Sequence, residues 1–142
     1  MSRILGVDLG ERYIGLALSD PLRITAQGLE TLTRRGLPED LGRLRDLIDC
    51  HQVEEIVVGL PRNMNGTYLP QAEKAREFIQ LLGHELDLPV SEWDERLSTR
   101  AANRVLLEAD VSRKKRKTVV NQIAAQLILQ GYLDRLGRES SR

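Results

Sequence analysis

The sequence contains few of the residues that form the simplest cross-links and metal sites. It has one cysteine, two histidines and 4% aromatic residues among 142 residues. A single cysteine excludes an intramolecular disulfide and a cysteine-based zinc cluster. We expect this residue, Cys50, to be a buried or half-buried structural thiol near the end of a helix, because nothing in the surrounding sequence would activate it.

Long apolar runs and long biased tracts are also missing. No apolar stretch approaches the ~20 residues that a membrane span requires, and no signal-peptide profile precedes the first strand pattern. Apolar residues make up 41% of the chain and recur throughout, which excludes a collagen-like, low-complexity or disordered protein. We therefore expect one soluble, non-exported domain that spans residues 1–142.

The chain has no excess of charge of one sign, since 21 basic and 21 acidic residues cancel. The cancellation hides an uneven distribution. Residues 1–112 hold 13 basic and 19 acidic side chains, whereas residues 113–142 hold 8 basic and 2 acidic ones. Five consecutive cations, which we call the basic run, are Arg113, Lys114, Lys115, Arg116 and Lys117. The basic run is either a solvated surface segment or a contact for a polyanion such as a nucleic acid.

The first third of the chain predicts an antiparallel meander of three strands. Residues 3–9 read as a buried strand, and residues 13–19 alternate between larger side chains and the small Gly15 and Ala17. The small residues leave space beside whatever the first strand presents. A third extended segment, over residues 26–33, completes the meander.

The middle of the chain alternates helices with strands. Pro38 opens the first helix, and Glu39 and Asp40 in its first turn complement the helix dipole. Strands are predicted over residues 54–60 and 89–95, with a helix between them.

The C-terminal part of the chain adds two predicted helices. Ser98 or Thr99 caps a short helix that runs through Ala109, the basic run forms a connector, and Thr118 caps the last helix. The expected fold class is α/β, with a mixed sheet of about five strands and helices on both of its faces.

Asp8 is the most unusual residue of the first strand. Val7 and Leu9 flank it, and aspartate is depleted in strands. Burying an unpaired carboxylate is costly, so Asp8 needs a cation, an arginine or backbone donors as a partner. The alternative is an aspartate that caps the turn beside Gly10.

Two adjacent carboxylates, Asp94 and Glu95, close the fifth predicted strand, at the strand end where open α/β sheets place their ligands. Adjacent strand residues point to opposite faces, so only one of the two can share a site with Asp8. The other then pairs with a neighbouring arginine such as Arg96.

The loop GLPRNMNG follows the fourth predicted strand and contains Asn63 and Asn65. Its amides and backbone N–H groups suit a phosphate, although many strand-to-helix connections have a similar composition. Together with the strand-end carboxylates and the basic run, the loop indicates a divalent-metal site for phosphodiester chemistry. Mg²⁺ and Mn²⁺ prefer such oxygen ligands.

Four blocks in chain order resemble the YqgF family, also called RuvX. They are ILGVDLGERYIGLALSD, EEIVVGLPRNMNGTYLPQAEKAREF, VSEWDERLSTRAANRVL and NQIAAQLILQGYLD. The resemblance implies an RNase H-like fold and a nuclease site that contains Asp8 and Glu95. It also implies 5′-end maturation of pre-16S ribosomal RNA in the bacterial cytoplasm, whereas an older assignment to Holliday junction resolution rests on the fold.

One position departs from the family pattern, because Asn121 stands where the last helix usually carries a third acidic residue. Asparagine offers a carbonyl oxygen to a metal, but it brings no charge and cannot act as a base. We expect Asn121 at the start of that helix, where a lost charge also loses an interaction with the dipole. In this interpretation Asp8 bridges the metals, Glu95 holds one of them and Asn121 is a neutral ligand.

The expected function is a Mg²⁺- or Mn²⁺-dependent nuclease that acts on pre-rRNA, with branched or single-stranded DNA as further substrates and ribosomal precursors as partners. Arg12, Arg96 and the basic run are candidates for phosphate contacts. One alternative is a non-catalytic RNA-, DNA- or ribosome-binding module, because of Asn121. The other is an actin-like ATPase or sugar kinase, but those enzymes bind nucleotide between two lobes and this chain supplies one.

Overall fold

A mixed five-stranded sheet organises the part of the chain that the structure describes. The structure, a computed structural model, describes residues 3–10, 12–60, 70–94 and 113–140. The strands are β1 (Arg3–Leu9), β2 (Tyr13–Ser19), β3 (Ala26–Thr33), β4 (Val53–Leu60) and β5 (Val90–Asp94). Their order in the sheet is β3-β2-β1-β4-β5.

The strand directions confirm the predicted meander and the mixed sheet. β1 pairs antiparallel with β2, and β2 pairs antiparallel with β3. β4 lies parallel to both β1 and β5, with Val7 beside Val58 and Leu60 beside Asp94. The carboxyl ends of β1, β4 and β5 therefore lie at one edge of the sheet.

Helices cover both faces of this sheet, as predicted. They are α1 (Leu37–His51), α2 (Pro70–Leu86) and α3 (Arg113–Ser140). Side chains of α1 and α2 share one core with Leu5 and Val7, and side chains of α3 share a second core with Ile4 and Val57. No described helix is both long and apolar enough to cross a membrane.

Strand alternation explains which residues face which helix. Successive side chains of a strand point to opposite faces of the sheet, so Leu5 and Val7 face α1 and α2 while Ile4 and Gly6 face α3. Asp8 follows Ile4 and Gly6 in the alternation and lies on the same face. The strand that carries the predicted site residue therefore presents Asp8 to the face that α3 covers.

Glycine on two strands lets α3 approach the sheet very closely. A Cβ added at Gly6 would lie 2.8 Å from the Leu129 Cβ, and one added at Gly15 would overlap the backbone carbonyl of Asn121. The space predicted beside Gly15 is therefore filled by the last helix. The small residues fix where α3 crosses β1 and β2.

Two glutamines of α3 complete the hydrogen bonding at the start of the edge strand β3. The Ala26 N–H donates to Gln130 Oε1 at 2.9 Å, and the Gln126 side chain donates to the Ala26 carbonyl at 3.2 Å. Gln130 also donates to the Ile24 carbonyl at 2.9 Å. These bonds set the position of α3 along the sheet as well as its distance from it.

α1 buries a charged residue together with apolar ones. Leu44 and Ile48 are buried, and Asp40, which the sequence suggests only as a partner of the helix dipole, is buried with them. Cys50 is exposed, which corrects the expectation of a buried thiol. Because Cys50 lies only two residues after Ile48, the 3.6-residue period turns it away from the buried stripe.

The last helix is longer than predicted. It begins at Arg113, so the basic run forms its first turns instead of a connector, and Thr118 lies inside the helix instead of capping it. The sequence favoured a later start because Thr118 suits an N-cap. Five cations near a helix N-terminus also oppose the dipole. The short helix predicted from Ser98 or Thr99 to Ala109 lies outside the described residues.

Candidate functional site

Asp8 lies at the carboxyl end of β1 and is 6% exposed. It is the direct cross-strand partner of Gly15. Residues directly opposite each other in an antiparallel pair share one face of the sheet. The carboxylate and Gly15 therefore lie on the same face, under α3.

Asn121 reaches this place from α3. Its backbone lies over Gly15, and its Nδ2 donates to the Tyr13 carbonyl at 3.4 Å. The same Nδ2 would lie 3.0 Å from a Cβ added at Gly10. Two of the three predicted ligands therefore lie next to Gly15, since Asp8 is its cross-strand partner and the Asn121 backbone lies over it.

The electrostatic expectation for Asn121 is wrong. α3 starts at Arg113, so Asn121 lies about 12 Å along the axis from the N-terminus at ~1.5 Å per residue. The dipole acts mainly within the first turn of a helix. Having Asn121 in place of an aspartate therefore removes a negative charge near Asp8, but it does not also remove a favourable interaction with the helix dipole.

Backbone and side-chain hydrogen bonds hold the β1–β2 turn. The Gly10 N–H donates to the Tyr13 carbonyl at 2.9 Å, and the Arg34 N–H donates to the Arg12 carbonyl at 2.8 Å. Arg34 also donates from Nη1 to the Gly10 carbonyl at 3.2 Å. The Arg12 side chain is exposed, so it is available to a ligand at this edge of the sheet.

Sequence patterns did not identify Arg34 as a residue of this region. It follows β3 and lies 24 positions after Gly10, and no local spacing links the two. Asp40 was interpreted only as a partner of the helix dipole, yet it is fully buried beside Arg34 and Arg43. A charged residue among the buried positions of an amphipathic helix was the one available signal.

Several predicted site residues lie outside the described part of the chain. Within residues 3–10, 12–60, 70–94 and 113–140, no group of three or more His, Cys, Asp or Glu side chains lies close enough together to hold a metal ion. The predicted residues outside those ranges are Asn63, Asn65, Glu95 and Arg96. The backbone of the basic run belongs to α3, from about one to just over two turns before Asn121.

A second polar cluster lies toward the opposite end of β4. Tyr132 of α3 donates a hydrogen bond to Glu55, and its hydroxyl lies 3.3 Å from the Ser91 hydroxyl. Burial and the bond to Glu55 raise the pKa of Tyr132 above its usual value. The Arg135 guanidinium lies 5.0 Å from the centre of the Trp93 ring. This cluster anchors α3 on the sheet, away from Asp8.

Comparison with known families and sequences gives a consistent result. A family model described as RuvX, Holliday junction resolvase, matches residues 2–135. A relative from Moorella thermoacetica is 60% identical over 136 residues, which cover 96% of this chain and 97% of the relative. A relative from Halothermothrix orenii is 58% identical over 132 residues, which cover 93% and 94%. Both are named "Putative pre-16S rRNA nuclease".

Solved structures of similar fold include Holliday junction resolvases. RuvC of T. thermophilus in complex with a Holliday junction substrate has a TM-score of 0.57 at 15% identity, and the match covers 96% of this chain and 97% of that one. The fowlpox virus resolvase with its junction DNA has a TM-score of 0.56 at 12% identity, with 94% and 98% covered. These matches confirm the predicted RNase H-like fold.

Proposed function

The chain belongs to the RuvX family, and from this premise we propose that it cleaves precursor 16S ribosomal RNA at a divalent-metal site built around Asp8. The family and the curated relatives make the chain a nuclease that hydrolyses phosphodiester bonds. The RNA substrate is inferred from the names of relatives that are 60% and 58% identical. Such a function belongs in the cytoplasm, where ribosomal precursors are the partners.

The observation that carries this proposal is the meeting of Asp8 and Asn121. Two elements distant in sequence converge on one strand end, because glycine at position 15 lets the α3 backbone lie against β2. The Asp8 carboxylate and the Asn121 amide, both next to Gly15, supply oxygen atoms of the hard kind that Mg²⁺ and Mn²⁺ prefer. The residues present therefore fit a divalent cation.

In this proposal Asp8, Glu95 and Asn121 hold the cation. Asn121 uses Nδ2 toward the Tyr13 carbonyl, which leaves Oδ1 as its metal-binding atom. Ser91 and Trp93 of β5 belong to the face that α3 covers. Glu95 lies outside the described residues, and its role as the second carboxylate is proposed from the family resemblance.

The chain's own residues have three tasks in the reaction. Asp8 and Glu95 supply the negative charge that keeps a cation in place, and Asn121 adds a neutral ligand. When bound, a divalent cation activates water and stabilises the leaving oxygen of a phosphodiester. The exposed Arg12 binds a backbone phosphate and orients the strand to be cut.

The basic run extends the proposed phosphate path along α3. Its five cations precede Asn121 on the same helix, so a nucleic acid bound by them passes near the carboxylates. Phosphate also neutralises the repulsion among the cations and their unfavourable interaction with the helix N-terminus. Asn63, Asn65 and Arg96 remain the other predicted contacts of the bound strand.

A second candidate function is a binding module without catalysis. The observation in its favour is Asn121 itself, which leaves the site with one carboxylate fewer than the family pattern. A weaker site binds a cation less tightly at a given concentration, and Asp8 and Glu95 are both retained. We therefore favour an active enzyme whose site needs more metal.

A cleavage panel tests the proposal. A precursor 16S RNA fragment with its 5′ extension, single-stranded RNA, single-stranded DNA, duplex DNA and a four-way junction are each incubated with Mg²⁺, Mn²⁺ or EDTA. We expect metal-dependent cleavage, fastest on the precursor RNA. Tight RNA binding without cleavage in either metal would select the binding module, and faster cleavage of the junction would reassign the substrate.

A further inference from the structure

α1 contains a carboxylate whose burial the hydrophobic core does not explain. Asp40 is 0% exposed. Its Oδ1 accepts hydrogen bonds from Arg43 Nη2 at 2.7 Å and from the Arg35 N–H at 3.1 Å. Its Oδ2 has no hydrogen-bond partner among the described residues and forms an ion pair with Arg34 Nε at 3.8 Å. Buried ion pairs seldom stabilise a fold more than apolar residues of similar volume, so another role for Asp40 is expected.

Arg34 links this carboxylate to the candidate site. Its Nε is directed toward Asp40, and its Nη1 donates to the Gly10 carbonyl at 3.2 Å. Gly10 follows Asp8 by two residues, and it lies so close to the Asn121 amide that even a methyl group would crowd it. Motion of Gly10 would therefore disturb both predicted ligands.

We propose that Arg34, oriented by Asp40, is a positioning residue that holds the β1–β2 turn so that Asp8 and Asn121 can bind a divalent cation together. This role rests on the proposed function of the Asp8 site. The guanidinium suits it because its donors form a planar fork that can address two acceptors at once. The buried negative charge of Asp40 selects one orientation of that fork.

Arg43 offers a matched comparison within the same network. It also pairs with Asp40, but its second described bond goes to the Thr33 carbonyl, at the end of β3. Losing either Arg43 or Arg34 therefore removes an ion pair from the same buried carboxylate. Among the described contacts, Arg34 is the partner of Asp40 that reaches Gly10.

Substitution by lysine separates geometry from charge. Arg34→Lys keeps the positive charge near the site, so long-range attraction or repulsion of a cation is unchanged. A lysine ammonium lacks the planar fork, so it cannot hold the two acceptors in the fixed relative geometry that Arg34 imposes. Arg43→Lys makes the equivalent change on the other side of Asp40. Asp40→Asn keeps the volume and removes the charge that orients Arg34.

The test is Mn²⁺ binding by isothermal titration calorimetry on the full chain, with urea unfolding of each variant alongside. We expect Arg34→Lys to weaken Mn²⁺ binding about tenfold, as loss of a residue that orients a metal ligand does. Asp40→Asn should weaken it in the same direction. Arg43→Lys should change the Mn²⁺ affinity by less than about twofold, even if its unfolding free energy falls as much as that of Arg34→Lys.

The possible failures are distinguishable through Asp8→Asn. If Asp8→Asn loses Mn²⁺ binding but Arg34→Lys and Arg43→Lys both bind like the parent, the Asp8 site stands and the positioning role is wrong. If Asp8→Asn binds Mn²⁺ as tightly as the parent, the proposed site and the positioning role that depends on it both fail. Equal weakening by Arg34→Lys and Arg43→Lys would reduce the network to a general contribution to the fold.

Discussion

The backbone of Asn121 lies against Gly15 of β2 so closely that any side chain at position 15 would overlap it. Gly15 is also the cross-strand partner of Asp8. One contact between a helix and a strand therefore decides both the packing of α3 and the distance between two predicted ligands. A carboxylate and an amide that are far apart in sequence meet because a glycine lies between their elements.

Gly15→Ala should damage the fold and the site together. The added methyl must displace α3 or bend β2, and such overpacking costs about 1–3 kcal/mol of unfolding free energy. Urea denaturation measures the loss. Gly42→Ala is the control, because nothing lies within 4 Å of a Cβ at that helical position, and it should stabilise the chain by up to about 1 kcal/mol. Equal stability of Gly15→Ala and the parent would contradict the close contact.

Asn121→Asp should make stability more dependent on metal. Without a cation, a carboxylate oxygen replaces the Nδ2 that donates to the Tyr13 carbonyl, and removing that hydrogen bond costs about 1 kcal/mol. With Mn²⁺, the added charge tightens binding, so saturating metal should raise the unfolding free energy more than in the parent. Asn121→Ala, which provides neither oxygen nor charge, serves as the control. The same Mn²⁺ stabilisation in all three proteins would place Asn121 outside the site.

Replacing Lys114, Lys115 and Lys117 by glutamine should weaken RNA binding and stabilise α3. The slope of log K against log salt for single strands should become shallower by about 0.7 for each phosphate that the variant no longer neutralises. Removing a cation from the first turn of a helix stabilises it by about 0.3–1 kcal/mol, so Lys114 and Lys115 should contribute most of the gain. Arg138→Gln, at the exposed opposite end of α3, should leave the salt slope unchanged. An unchanged slope in the triple variant would make the basic run a solvated surface.

The strands could be predicted well from the sequence because local patterns determine them. The bounds predicted for β1, β2 and β3 match the structure, and the predicted starts of β4 and β5 each differ by one residue. The predicted end of β5, residue 95, lies outside the described residues. The start of α3 could not be predicted, because the preference of threonine for the N-cap position favoured Thr118. A capping preference is worth only about 1 kcal/mol, so it does not by itself decide where a helix of 28 residues begins.

The candidate site was only partly visible in the sequence. Asp8 was conspicuous because an aspartate interrupts an apolar strand, and Asn121 because it departs from a family pattern. The Arg34–Gly10 bond and the burial of Asp40 depend on how β3 and α1 meet the β1–β2 turn. Such contacts join residues with no periodic relationship, so only the three-dimensional arrangement reveals them.

Tyr132 should make stability fall at high pH. Burial and the hydrogen bond to Glu55 raise its pKa in the folded chain above the ordinary value of 10.0. Above pH 10, Tyr132 keeps its proton in the folded state but loses it in the unfolded state. The contribution of Tyr132 to the free energy of unfolding is therefore complete below pH 10 and disappears as the pH rises through the folded pKa. Urea unfolding between pH 7 and about pH 11 should therefore show a shallower decline for Tyr132→Phe. If the unfolding free energies of the parent and Tyr132→Phe declined equally with pH, the raised pKa of Tyr132 would not be the cause.

The central claim, that Asp8 belongs to a metal-dependent nuclease site, is tested most directly by the cleavage rate of Asp8→Asn on precursor RNA across a Mn²⁺ titration. Loss of a metal ligand removes several kcal/mol of transition-state stabilisation, which corresponds to about a thousandfold in rate. The exposed Asp46→Asn on α1 is the matched control and should cut like the parent. We predict that Asp8→Asn folds normally and cuts about a thousandfold more slowly than the parent, or more slowly still, at every Mn²⁺ concentration. A folded Asp8→Asn variant that cuts as fast as the parent would contradict the claim.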